Sequence, residues 1–153
     1  NDLLKYYFIK ISSIIIKKDI LKNFKFNPFY NIIGDYDFII KVASRFKCIA
    51  FQNKCLNIRV HKDNFTSNNR KMFYVEFKKW IKDQNFNKEI FKQNKYNLFL
   101  KLEYLRLVYL LSNRKRIGLI FDIAKYPSFL LKLKLIIIFF LPDFLIKFKH
   151  RYF

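Results

Sequence analysis

Two carboxylates open the most chemically suggestive stretch of this 153-residue chain, in the run Gly34-Asp35-Tyr36-Asp37-Phe38-Ile39-Ile40-Lys41. The apolar spacing that follows predicts a helix starting at Asp35, with Phe38, Ile39, Val42 and Phe46 on one face and Lys41 and Arg45 on the other. An acid at a helix start is stabilised by the helix dipole and can accept from the free N–H groups there. It can also act as a general base, because a fixed helix start aims it. On residue type alone, capping outweighs catalysis for Asp35, and more strongly for Asp37. A second cluster follows in Ile58-Arg59-Val60-His61-Lys62-Asp63-Asn64-Phe65-Thr66-Ser67. Arg59 and His61 alternate, so on a strand they share a face, where a cation and an imidazole suit a phosphate or a metal. The plain alternative for His61 is a packed or solvent-facing side chain.

The elements that must position these groups can be read from the pattern. Residues 6–17 (YYFIKISSIIIK) are rich in β-branched and aromatic types and predict a strand. KKDILKNF predicts a short helix over Lys17–Phe24, and Asn27-Pro28 a loop. KCIAF (47–51) and LNIRV (56–60) predict two short strands around a QNK turn, and the polar run His61–Asn69 predicts a loop. Beyond it the pattern turns helical. Helices are predicted over about Arg70–Lys88 (Phe73, Phe77, Trp80, Ile81), 96–112, and Lys115–Tyr126 ahead of Pro127. The tail from Ser128 to Phe153 is apolar with interspersed Lys and is broken at Pro142.

The order of these segments resembles the second half of the catalytic domain of family 2 glycosyltransferases, which have the GT-A fold. That family carries a Ser-containing strand with apolar residues and a basic pair, here Ser12-Ser13-Ile14-Ile15-Ile16-Lys17-Lys18. Its acidic E-D-Y-D-L segment matches Gly34–Lys41, with Gly34 in place of the Glu. Its Y-R-x-H-x-x-N-x-S-like segment matches Ile58–Ser67, with Ile58 in place of the Tyr. The likeness covers roughly residues 5–75. It implies an α/β chain: a partial GT-A (Rossmann-like) catalytic domain over 1–69, then a mainly α-helical C-terminal region over 70–153. The family's nucleotide-binding half and its D-x-D motif are expected before Asn1, which makes the chain a C-terminal piece that is inactive alone.

The resemblance implies transfer of a sugar from a nucleotide-sugar donor to a hydroxyl of a cell-surface glycan or lipid-linked acceptor, with inversion. It makes Asp35 the base, places Tyr36 and Asp37 on the acceptor side, and sets Arg59 and His61 against the donor diphosphate. His61 is also the candidate contact for a divalent metal, Mg²⁺ or Mn²⁺.

Composition bounds the alternatives. Apolar residues make up 52% of the chain, so disorder is excluded. The two cysteines, Cys48 and Cys55, lack CxxC spacing and suit neither a disulfide scaffold nor a structural zinc. No signal peptide is legible at the start, and the expected location is cytoplasmic, peripheral on the inner face of the cell membrane. The formal charge of +20 invites a non-enzymatic nucleic-acid or membrane-surface module. The cations are spread along the chain without a nucleic-acid signature, so no specific nucleic acid is expected. The uncharged run Leu135–Leu141 is far shorter than the roughly 20 residues a spanning helix needs. Apolar residues mixed with Lys instead suit a helix lying against anionic headgroups. Packing of that helix on other protein is the rival reading.

Overall fold

The computed structural model describes residues 2–5, 7, 9–51, 53, 56–57, 65–84, 89–113 and 118–140. In chain order the helices are α1 (Asp2–Lys5), α2 (Lys18–Asn23), α3 (Gly34–Ala43), α4 (Phe65–Asn68), α5 (Arg70–Asp83), α6 (Glu89–Ser112), α7 (Leu119–Lys125) and α8 (Phe129–Phe140), with a 3₁₀ turn at Ile11–Ser13. Among the described residues there is no strand and no sheet.

The expected α/β, GT-A-like architecture is therefore corrected: the described chain is helical. The reason is visible in the segments read as strands. Within 6–17 the Ser12-Ser13 pair turns the chain, with Ser13 N–H bonding Lys10 O at 2.9 Å and Ser13 Oγ bonding the same carbonyl at 2.7 Å. Serine competes for local backbone groups in this way and so favours turns. Beyond it Ile14 has extended torsions (φ −106°, ψ 134°), yet Ile15 is 91% exposed. Residues 47–51 likewise belong to no regular element, with Ile49 and Phe51 exposed. A strand is stabilised by a paired neighbour, whereas a helix closes its own hydrogen bonds. β-branched composition marked these segments as extended but supplied no partner. Of the second predicted strand, residues 58–60 lie outside the described residues, as does the start of the predicted 61–69 loop; Phe65–Asn68 within that loop is helical.

The chain forms two compact units, residues 1–59 with 76–98, and residues 60–75 with 99–153. The first unit is built on aromatic packing. Tyr36 and Phe38 of α3 are buried, as are Phe77, Trp80 and Ile81 of α5 and Phe91 and Leu98 of α6. The Tyr36 ring meets Tyr7 and Trp80 edge-on, each at 4.9 Å, and Phe26 stacks on Phe38 at 4.3 Å. Pairs of this kind add about 0.5–1.5 kcal/mol each beyond area burial. Asn27-Pro28 forms the expected turn, with Asn27 Oδ1 accepting from Phe29 N–H at 3.0 Å and Asn27 O from Tyr30 N–H at 3.2 Å. Helix α3 stops at Ala43, where Ser44 Oγ bonds Lys41 O at 2.8 Å. Phe46 consequently falls past the helix and packs edge-on against Phe24 at 5.6 Å.

The second unit has an aliphatic core of Leu107, Val108 and Leu111 from α6, Leu119 and Ile123 from α7, Tyr126, and Leu135 from α8. Gly118 precedes α7 at φ 85°, a left-handed conformation that favours glycine. Tyr126 donates to Leu100 O at 2.9 Å, and Arg106 bridges Glu103 (2.6 Å) and Asp122 (2.7 Å), tying α6 to α7.

One buried cation in this unit gives a pH test. Burial pushes the Lys101 ammonium down to about 8. The unfolded chain holds that proton to about 10.4. Between those values the unfolded state binds more protons, so stability rises with pH, by about 3 kcal/mol for the full shift. Tyrosines such as Tyr30, raised to about 12, act oppositely above about 10, where the unfolded state ionises first. Urea midpoints between pH 8 and pH 9.5 should therefore climb for the native protein and stay flat for Lys101→Met.

Candidate functional site

The acidic pair at the start of α3 is resolved into two different settings by the first unit's packing. The alternation of Tyr36, Phe38, Ile39 and Ile40 as buried residues rolls Asp37 inward, where it is 2% exposed. Its Oδ1 accepts from the Trp80 indole N–H at 2.9 Å, and its Oδ2 takes Lys41 Nζ at 2.6 Å. The ion pair is the i,i+4 spacing of one helix, and half of the Lys41 side chain remains in solvent. Both Asp37 oxygens are thus engaged, Oδ1 in holding α3 to α5 and Oδ2 within α3 itself.

Asp35 is half-buried. Its Oδ1 accepts the N–H of Tyr36 at 2.7 Å, one of the free donors of the first turn. The buried Tyr7 hydroxyl faces it: burial first, and then the Asp35 charge, push this phenol well above the usual tyrosine range. A neutral Tyr7 beside a partly open carboxylate can orient it without supplying a competing charge.

The segment just ahead of α3 is held by Glu76 of α5. Its Oε1 accepts Asn31 N–H at 2.9 Å, and its Oε2 accepts Ile32 N–H at 2.9 Å and Ile33 N–H at 3.2 Å. Three consecutive amides leading into the helix form an anion cradle, and charge-assisted bonds of this kind offset the desolvation of a nearly buried carboxylate. Glu76 therefore fixes where α3 begins and hence where Asp35 points. At the other end of the same contact, Tyr30 donates to Asp83 Oδ2 at 3.3 Å; burial and then the Asp83 charge push its hydroxyl up to about 12.

Of the residues singled out from sequence, the structure brings Asp35, Tyr36 and Asp37 onto one helix start, with Tyr36 inside the aromatic cluster. Arg59 and His61 lie outside the described residues. Among the described residues no group of three or more His, Cys, Asp or Glu gathers as a metal site. The Mg²⁺ or Mn²⁺ contact expected of His61 lies outside the described residues.

Three supporting residues were missed in the sequence: Glu76 and Trp80 as hydrogen-bond partners of this corner, and Tyr7 as a ring packed edge-on against Tyr36. Glu76 left a trace, because it shares the apolar face of Phe73, Phe77 and Trp80 at helical spacing. An acid on a core-facing stripe calls for a partner. Comparison with protein-family models, with curated proteins and with solved structures finds no match to this chain.

Proposed function

We propose that the chain carries the acceptor-side part of a glycosyltransferase site, with Asp35 as the base. The observation that carries this reading is the contrast within one motif: Asp37 is sealed and fully committed to structure, while its neighbour Asp35 is partly open on a helix start clamped by Glu76. Added support is the order of the Ser12–Lys18, Gly34–Lys41 and Ile58–Ser67 segments.

In the proposed reaction the acceptor hydroxyl oxygen bonds to the anomeric carbon of a nucleotide-sugar. The bond from that carbon to the diphosphate oxygen breaks, and its electron pair leaves with the nucleoside diphosphate. The hydroxyl proton passes to Asp35. The carboxylate takes this proton as the hydroxyl becomes strongly acidic with formation of the new bond. The Arg59 guanidinium and the His61 imidazole are assigned to the departing diphosphate. Tyr36, Asp37 and Glu76 are positioning residues.

A single base opposite the leaving group demands inversion. Proton NMR of the first-formed product from the intact protein that carries this sequence should show the anomer opposite to the donor's. Retention, or no transfer from any nucleotide-sugar by folded protein, overturns the proposal.

A further inference from the structure

Helix α8 presents an apolar face on the side away from its own core. Ten of its 12 residues are apolar, the other two are Lys132 and Lys134, and no acid is present. At 3.6 residues per turn, Leu131, Leu135 and Ile138 form the inner face, and all three belong to the second unit's core packing. The opposite face includes Phe129 (76% exposed), Leu130 (72%), Leu133 (46%), Ile137 (38%) and Phe140 (72%). Lys132 and Lys134 fall on the two flanks between these faces. The side of α8 that meets α7 opens a groove of about 210 Å³, bordered by Ile120, Ala124 and Ile136. Contiguous apolar surface of this kind marks an interaction site.

Charge selects the occupant. A second copy of the chain would bring +20 against +20, which opposes association. An anionic leaflet attracts the same charge, and flanking lysines can bury their stems while keeping their ammonium groups among headgroups. Length selects the mode. The twelve described residues of α8 span about 18 Å, short of the roughly 30 Å of a hydrocarbon core, and Pro142 follows two residues on in the sequence. No helix of the described residues is long and apolar enough to cross a membrane. We infer that α8, with the groove beside α7, is a docking face for an anionic phospholipid surface, in which the helix lies parallel to the membrane with Leu130, Leu133, Ile137 and Phe140 immersed. This inference stands apart from the sugar-transfer proposal and survives its failure.

The test must separate immersion from plain charge attraction, so the variants are neutral. Co-sedimentation is measured with phosphatidylcholine vesicles with and without phosphatidylglycerol, using the full chain, Leu133→Gln/Ile137→Gln and Leu130→Gln/Phe140→Gln. All four side chains are exposed, so helical circular dichroism and Trp80 emission should not change. The native chain should bind the phosphatidylglycerol vesicles, and each pair should weaken that partition by about tenfold or more. Undiminished partition of both folded pairs would reduce the contact to surface charge and overturn the inference. So would a self-associating native chain that ignores vesicles and is made monomeric by either pair, which would assign the face to a second copy.

Discussion

Asp37→Ala should destabilise the first unit by about 1–3 kcal/mol, the cost of leaving a buried donor without its acceptor. The carboxylate is 2% exposed and holds two donors from two helices. Lys41 can swing its half-exposed side chain into water once the acid is gone. Trp80 cannot, because its indole is 1% exposed between Tyr36, Phe77 and Phe91. Its N–H is left buried without an acceptor, which is the source of that cost. A drop in the urea midpoint with an unchanged slope is the expected result. A double-mutant cycle with Trp80→Phe isolates the pair: phenylalanine has no N–H to strand, so the two losses should be less than additive by about 1–3 kcal/mol. Strict additivity would mean that the Asp37–Trp80 bond holds nothing together.

The larger effect on activity belongs to its neighbour. Asp35→Asn in the intact protein should lower turnover by about 10²–10⁴-fold, the range over which a positioned base contributes to proton transfer. The amide keeps the size of the side chain and can still accept the Tyr36 N–H through its carbonyl oxygen, so the helix start has no cause to move. What it loses is a site for the acceptor's proton. The effect should therefore fall on the chemical step and leave donor binding nearly untouched. The Asp37→Ala variant reverses the pattern, being less stable yet retaining the base.

The helices were legible where periodicity ran long enough to decide. Phe73, Phe77, Trp80 and Ile81 announced α5, the apolar run around 96–112 announced α6, and Pro127 announced the end of α7. The extended segments were not legible as what they are. YYFIKISSIIIK and KCIAF carry strand-like residues, but a ladder is a relation between segments, and neither composition nor alternation reports whether a partner exists. Their described parts remain unpaired, with Ile15, Ile49 and Phe51 in solvent. The same limit governs the site. The pairing of Asp35 with Asp37 was visible as a motif, yet which of them faces the core depended on Trp80, 43 residues away, and the clamp on the residues leading into α3 came from Glu76 at a similar remove. Local rules allowed capping for both acids, and Asp35 does accept a first-turn N–H, but they could not see the indole that takes Asp37 into the core.

Steady-state kinetics of Asp35→Asn against the native protein, in the intact chain, addresses the central claim most directly. The account predicts a fall in kcat of about a hundredfold or more with the donor KM held within about twofold. An unchanged kcat in a folded Asp35→Asn protein would contradict it and return Asp35 to a purely structural role at the start of α3.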